Sequence, residues 1–90
     1  LKAEQIGLVN RVVDEQVLDE TVYRLATPIA GKSGHTLKIG KEAFYQQLEM
    51  GLAEAYDFTS EVMAKNLQAA DAHEGICAFL DKRKPEWKDE

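Results

Sequence analysis

The sequence predicts a mainly α-helical chain in which one short N-terminal strand is followed by about four helices. Three observations carry this prediction. Apolar residues recur three or four positions apart over most of the chain, which is the spacing of one helix face. A single β-branched run stands near the N-terminus. Residues typical of turns and helix caps separate the periodic stretches.

The predicted strand covers residues 8–13, where four of the six residues are Leu or Val. Residues 1–5 have the character of a last helical turn, and Gly7 suits the left-handed position that often follows a helix end. A lone strand has no partner within the chain, so we expect it to pair with residues that the chain lacks or with another copy. Because the chain also opens at Leu1 rather than Met, we expect it to be a piece of a longer protein.

The first long helix is predicted to begin after Asp14, which offers an N-cap. Its apolar stripe lies at helical spacing and consists of Leu18, Val22, Leu25 and Ile29. Pro28 removes one backbone hydrogen bond and clashes with the preceding turn, at a cost of roughly 3 kcal/mol. We therefore expect this helix to end or kink near Thr27.

Two further helices are predicted over residues 35–49 and 52–70, with Gly51 between them. The apolar face of the first consists of Leu37, Phe44 and Leu48. The second has the clearest apolar face in the chain, made of Leu52, Ala55, Tyr56, Thr59, Val62, Met63, Leu67 and Ala70. A helical set of this size cannot easily cover all these faces, so we expect exposed apolar surface of the kind that forms subunit or interdomain interfaces.

The last helix is predicted to start at Asp71, with Glu74 three residues on completing a capping box. We expect Pro85 to end it and residues 82–84, which are all cationic, to lie in its last turn. Gly75 costs about 1 kcal/mol relative to alanine inside a helix. Either close packing of a neighbouring element or chance would account for it.

Charge and cysteine content exclude several classes of function. The net charge is −5 and the pI is about 5.0, which argues against the basic face that a nucleic-acid binder needs. No stretch approaches the roughly 20 apolar residues of a membrane span. Cys77 is the only cysteine, so an intrachain disulfide is impossible and a cysteine-based metal site is not expected.

Few residues are candidates for chemistry. His35 and His73 lie far apart in the sequence, and we interpret them as structural or surface histidines rather than metal ligands. Cys77 would need a nearby base to act as a nucleophile, and its apolar neighbours indicate a small core residue instead. We therefore predict no metal site and no catalytic residue in this chain.

The stretch from Asp81 to Lys88 allows two interpretations. Its three consecutive cations, residues 82–84, stand between Phe79 and Trp87. Aromatic faces beside cations could hold an adenine ring and a phosphate. Alternatively, this is a lysine-rich helix end next to two core aromatics. The residues alone favour the second interpretation.

The order of motifs resembles the C-terminal third of the crotonase superfamily, the enoyl-CoA hydratase/isomerase family. The first motif is Ala3 followed by residues 6–13, which read IGLVNRVV, and the last is residues 71–85, which read DAHEGICAFLDKRKP. Weaker matches lie between them at Leu25-Ala26, Ile29-Ala30 and Lys41. Phe44-Tyr45 and Asn66-Leu67 are similar to the enoyl-CoA hydratase-domain-containing branch. Pro28 and Gly34 depart from the family pattern, which commonly has a continuous helix at the first position and a proline at the second.

The resemblance implies that residues 1–13 end the core spiral region and that residues 14–90 form a C-terminal helical domain that covers CoA and forms oligomers. In such enzymes two backbone N–H groups stabilise the enolate of an acyl-CoA thioester and acidic side chains move protons. Both parts precede this segment. The segment alone is therefore expected to be inactive, and no cofactor is implied, since CoA is part of the substrate.

The resemblance also implies three binding positions. Phe79 and Lys82 match residues near the adenine and 3′-phosphate of CoA. Met63 matches a position near the acyl pocket and the trimer contact, although it is equally a core position of its helix. The expected partners are an acyl-CoA thioester and further copies of the protein in a trimer or hexamer, with no nucleic acid and no membrane.

The resulting hypothesis is the C-terminal portion of an enoyl-CoA hydratase or isomerase. It would lie in the cytoplasm of a bacterium or in the mitochondrial matrix of a eukaryote. Two alternatives remain open at this point. One is a crotonase-like protein that has lost its catalytic acids. The other is a stand-alone helical protein-interaction module.

Overall fold

Helices form all the regular structure in the computed structural model, which describes all 90 residues. The elements are α1 (Lys2–Gln5), a 3₁₀ turn (Glu15–Val17), α2 (Leu18–Ala30), α3 (Gly34–Gln47), α4 (Leu52–Asn66) and α5 (Ala70–Leu80). They fall into two compact units, Leu1–Gly31 and Lys32–Glu90. The mainly helical class is therefore confirmed. The predicted division after residue 13 concerns a longer protein and stays a prediction.

The end of α1 has the geometry that its sequence predicts. Gly7 has a φ of 75°, and its N–H donates to the carbonyl of Glu4 at 3.1 Å. The next amide, from Leu8, reaches back to the carbonyl of Ala3 at 2.9 Å. These two bonds form a Schellman motif, in which a left-handed residue lets the chain satisfy the last carbonyls of the helix.

The predicted strand is wrong, because residues 8–13 form no strand. A strand is stable only when its backbone groups pair with another strand, and the chain contains no second strand that could pair with this segment. The amide of Val12 instead donates to the side chain of Glu4 at 3.3 Å. The β-branched composition is therefore an insufficient basis for predicting a strand here.

Helix α2 begins later and ends later than predicted. Asp14 precedes the 3₁₀ turn, but its side chain makes no capping hydrogen bond. The helix then runs through Pro28 to Ala30, so it does not end near Thr27, and a kink there stays a prediction. Pro28 lies within three residues of the helix end, where it removes one hydrogen bond. The amide of Gly31 still closes the last turn on the carbonyl of Thr27 at 3.1 Å.

Helices α3 and α4 pack against each other within the second unit. Their shared surface includes half-buried side chains that line one small cavity: Ile39, Ala43, Phe58 and Val62. The apolar face that was predicted for α3 is exposed to solvent, with Phe44 and Leu48 each 56% accessible. Helix α4 ends at Asn66, four residues before its predicted end.

Most of the large apolar side chains of the chain are exposed. Ala78 is the one buried hydrophobic residue. The exposed set includes the complete predicted stripe of α2, namely Leu18, Val22, Leu25 and Ile29. The expectation of uncovered apolar surface is therefore confirmed, and the helices of this chain do not bury their own apolar faces.

Gly75 is explained by close packing inside the second unit. A Cβ atom at this position would lie 3.2 Å from Cη2 and 3.4 Å from Cζ3 of Trp87. The first distance is shorter than an ordinary van der Waals contact and the second is at its lower limit. The indole ring therefore packs directly against the backbone of α5 at Gly75. Of the two explanations that the sequence left open, packing is the correct one.

Alanine substitutions at two helical glycines test this packing. Gly40 lies within α3, and a Cβ atom added there would meet no neighbouring atom within 4 Å, so Gly40→Ala should raise the free energy of unfolding by about 1 kcal/mol. Gly75→Ala should lower it, because the new methyl group displaces Trp87. Thermal unfolding of the intact protein measures both changes. An equal gain at the two positions would show that Trp87 does not restrict residue 75.

Candidate functional site

Residues 82–90 form a segment, here called the strap, that follows α5 and has no helical structure. Helix α5 ends at Leu80, so the predictions that Pro85 ends it and that residues 82–84 lie in its last turn are wrong. A Schellman motif ends it instead. The amide of Arg83 donates to the carbonyl of Ala78 at 3.0 Å, and that of Lys82 donates to the carbonyl of Phe79 at 3.3 Å.

Asp71 holds the far end of the strap. It is 1% exposed and is the largest fully buried side chain of the chain. Its carboxylate accepts hydrogen bonds from the hydroxyl of Ser33 and from the amides of Lys88 (2.8 Å) and Asp89 (3.0 Å). Its own amide donates to the carbonyl of Glu90 at 2.9 Å. One buried carboxylate therefore joins the start of α3, the start of α5 and the end of the strap.

The pKa of Asp71 is lowered by this environment. The hydrogen bond from Ser33 has the largest effect, burial opposes it, and the amides of Lys88 and Asp89 lower the pKa further. Asp71 is therefore ionised at neutral pH. A buried carboxylate is tolerated when its oxygens accept several hydrogen bonds.

The end of the strap also contacts the first turn of α3. Ser33 caps this helix by accepting from the amide of Thr36 at 3.2 Å. The amide of Gly34 donates to Oδ1 of Asp89 at 2.7 Å. A proline at position 34 would have no N–H to donate. A Cβ atom there would lie 2.9 Å from Oδ1 of Asp89, so the close approach of this carboxylate favours glycine.

Glu74 holds the near end of the strap. Its carboxylate accepts two hydrogen bonds from the guanidinium of Arg83, at 2.6 and 3.0 Å, and a third from the amide of Glu86 at 2.8 Å. The bond from Arg83 is the main cause that lowers the pKa of Glu74 from 4.5 to about 2, with the Glu86 amide next. The same pairing raises the pKa of Arg83.

The predicted capping box is wrong. Ala69 occupies the N-cap position of α5, and no side chain makes a capping bond there. Asp71 and Glu74 have the spacing of a capping box, but their carboxylates bind the strap, which returns from the opposite end of the helix. The two carboxylates thus accept hydrogen bonds from donors that are distant in sequence, rather than from amides in the first turn of α5.

A groove with a volume of about 500 Å³ opens beside the strap. Its walls are mainly apolar and come from α3, α5 and the strap, and they include Leu37, Ile76, Phe79, Leu80 and Trp87. Ser33 and Asp71 line it as well. The two aromatic residues that the sequence singled out, Phe79 and Trp87, therefore meet at one groove.

The residues predicted to bind CoA lie at the end of α5. Phe79 is 82% exposed and lines the groove. Lys82 is two residues beyond the helix and has a left-handed backbone with a φ of 54°. Lys82 and Lys84 form no ion pair within the chain, whereas Arg83 is paired with Glu74. Met63 is 59% exposed on α4 and does not line the groove.

The remaining candidates are His35, His73 and Cys77. Cys77 lies 3.5 Å from Nε2 of His73, a contact between residues four apart on α5 that the helical spacing could have indicated. No three His, Cys, Asp or Glu residues come together in a way that could hold a metal ion. None of the helices is both long enough and apolar enough to cross a membrane.

Comparison with known proteins gives a consistent result. The family model described as enoyl-CoA hydratase/isomerase matches residues 2–90. The human protein named enoyl-CoA hydratase domain-containing protein 3, mitochondrial, is 46% identical over 84 residues, which are 93% of this chain and 28% of that protein. A probable enoyl-CoA hydratase of Rhizobium meliloti is 38% identical over 87 residues, covering 97% of this chain and 34% of the relative.

Solved structures agree with the sequence comparison. An enoyl-CoA hydratase of Mycobacterium smegmatis has a TM-score of 0.89 and 40% identity, over 96% of this chain and 34% of that one. The human domain-containing protein 3 has a TM-score of 0.83 and 46% identity, over 89% of this chain and 32% of that one. The chain thus spans about a third or less of the length of these relatives.

The bonds to Glu74 predict a pH dependence of the strap. Because the pKa of Glu74 in the folded chain is below its ordinary value, its stabilising effect is complete above about pH 4.5 and is lost as the pH falls toward 2. Hydrogen exchange, expressed as protection factors, should show the strap amides around Glu86 opening in this window. Glu74→Gln should remove that part of the pH dependence. An identical pH profile in wild type and variant would contradict the assignment.

Proposed function

This chain belongs to the enoyl-CoA hydratase/isomerase family of the crotonase superfamily, and we propose that it is the C-terminal helical portion of an enzyme that acts on acyl-CoA thioesters. The observation that carries the proposal is the match of residues 2–90 to the family model. The similarity to the domain-containing branch, expected from Phe44-Tyr45 and Asn66-Leu67, is confirmed by the human relative. Hydration is the leading reaction, because the similar proteins are named as hydratases.

The chemistry of such an enzyme would lie outside these 90 residues. An enolate oxyanion needs preorganised N–H donors, and proton transfer needs positioned acids. The carboxylates with the most hydrogen bonds here, Asp71 and Glu74, are both occupied by the strap. They are therefore unsuited to a substrate proton, and we assign no catalytic residue to the chain. Its proposed role is to cover CoA and to connect subunits.

We assign CoA binding to Phe79 and Lys82. The exposed ring of Phe79 offers a flat apolar surface on which an adenine could stack. Lys82 carries a cation with no internal ion pair, one turn from that ring, which suits a phosphate. Arg83 is less suited, because Glu74 already neutralises it. Phe79 lines a groove with apolar walls, and Lys82 lies two residues beyond the end of the same helix.

The exposed apolar faces support a role in assembly. A monomer that left this much apolar surface in water would be prone to associate. We propose that the faces of α2, α3 and α4 are covered by the rest of the protein and by further subunits in a trimer or hexamer. Met63, exposed on α4, would then lie at a subunit contact or at the acyl pocket.

The relatives indicate the subcellular location of this protein only in part. Similar proteins include mitochondrial ones from animals and one from the bacterium Rhizobium meliloti. We propose the cytoplasm for a bacterial source and the mitochondrial matrix for a eukaryotic one. Acyl-CoA substrates of fatty acid metabolism fit either location.

Hydration of crotonyl-CoA tests the proposal. The full-length protein that contains this chain should add water to the double bond, which is followed by the loss of absorbance of the conjugated thioester. The 90-residue chain alone should be inactive, because we place the oxyanion hole and the catalytic acids outside it. No turnover by the full-length protein would contradict the proposed hydratase, and turnover by the isolated chain would contradict the placement of its chemistry outside these 90 residues.

A further inference from the structure

The backbone at Lys82 is unusual and has to be maintained by its surroundings. Its φ of 54° lies in the left-handed region, at the position of the Schellman motif where glycine is the common residue. A lysine side chain is unfavourable there. Such backbone conformations persist when neighbouring interactions hold them, and they often occur at binding sites.

Glu74 supplies the interactions on one side of Lys82. Its carboxylate binds the next residue, Arg83, through both terminal nitrogens of the guanidinium. It also binds the amide of Glu86 at 2.8 Å, and Arg83 in turn donates to the carbonyl of Lys84 at 3.2 Å. The chain after Lys82 is therefore fixed to α5 through Glu74, whereas the Lys82 side chain forms no hydrogen bond or ion pair.

The backbone on the other side of Lys82 is fixed by the helix. The amide of Asp81 donates to the carbonyl of Cys77 at 2.9 Å, and that of Lys82 donates to the carbonyl of Phe79 at 3.3 Å. The residue is thus held at both ends while its ammonium group stays available. This arrangement is what preorganised binding of an anion requires, because the side chain is the only part left to order.

We propose that Glu74 is a positioning residue for CoA: through Arg83 it holds Lys82 in the conformation that presents its ammonium group to the 3′-phosphate. Glu74 itself touches no ligand. The inference rests on the proposed role of Lys82 in CoA binding. It adds that the Glu74–Arg83 pair, which looks like an ordinary surface ion pair, determines how well the protein distinguishes CoA from CoA without that phosphate.

The pairing also explains why Arg83 would not serve among the three neighbouring cations. Glu74 engages Arg83 in a bidentate geometry that a lysine could not reproduce. Arg83 is thereby kept from the phosphate, and Lys82 and Lys84 remain without ion pairs. Lys84 lies after Arg83 rather than before it, so it provides a matched control of equal charge.

The test compares binding of CoA and 3′-dephospho-CoA to the full-length protein by calorimetry. The ratio of the two affinities measures recognition of the 3′-phosphate alone. Lys82→Ala should bring this ratio close to unity. Glu74→Gln should lower the ratio by roughly fivefold, with the affinity for dephospho-CoA retained. Arg83→Lys keeps the charge but loses the bidentate pairing, so it should lower the ratio similarly.

Lys84→Ala is the control, and it should leave the ratio close to its wild-type value.

The outcomes separate the two proposals. An unchanged ratio in Lys82→Ala would remove the assignment of Lys82 to the phosphate. If the affinity ratio falls in Lys82→Ala but keeps its wild-type value in Glu74→Gln and Arg83→Lys, the positioning role of Glu74 is overturned. The assignment of Lys82 to CoA binding then remains. An equal loss of affinity for both ligands would also overturn it, because that is the signature of general structural damage. If Glu74→Gln does not fold, Arg83→Lys decides between these outcomes.

Discussion

The second unit of the structure depends on the buried carboxylate of Asp71. It is ionised, nearly inaccessible and bonded to a hydroxyl and two amides, which together offset the cost of its burial. Those donors come from the start of α3 and from the end of the strap. Without them the far end of the strap would lose its bonds to the Asp71 carboxylate, while Glu74 would still hold the near end. The position of Trp87 over Gly75, and with it one wall of the groove, follows from this anchoring.

Much of the helical architecture could be predicted from the sequence because it is local. Gly7 lies in the left-handed conformation that its place after α1 requires, and Gly51 precedes α4 as expected. The family could be predicted as well, since the motifs of residues 6–13 and 71–85 are specific in combination. The sequence drew attention to Phe79 and Trp87 as aromatics that flank a cationic run, and the structure adds that both line one groove.

The errors on the strand and on the capping box have one physical origin, which is that the decisive partners are distant or missing. Residues 8–13 have strand composition and no strand to pair with. Asp71 and Glu74 have capping spacing, but they bind strap donors 9 to 18 positions further along the chain. The error at Pro28 has a local origin instead, because Pro28 lies in the last turn of α2, where only two helical residues follow it. Rules based on residue spacing cannot identify interactions with distant segments. A carboxylate that caps its own helix and one that binds the strap have the same spacing in the sequence.

Amide exchange at Gly34 in an Asp71→Ala variant tests the central role of Asp71 most directly. The amide of Gly34 is bonded to Asp89 rather than to Asp71, so it reports whether Asp71 holds the strap against α3. If it does, exchange at Gly34 should accelerate together with that at Lys88 and Asp89, while amides in the middle of α4 keep their wild-type rates. Wild-type protection at Gly34, with faster exchange at Lys88 and Asp89 only, would contradict the account.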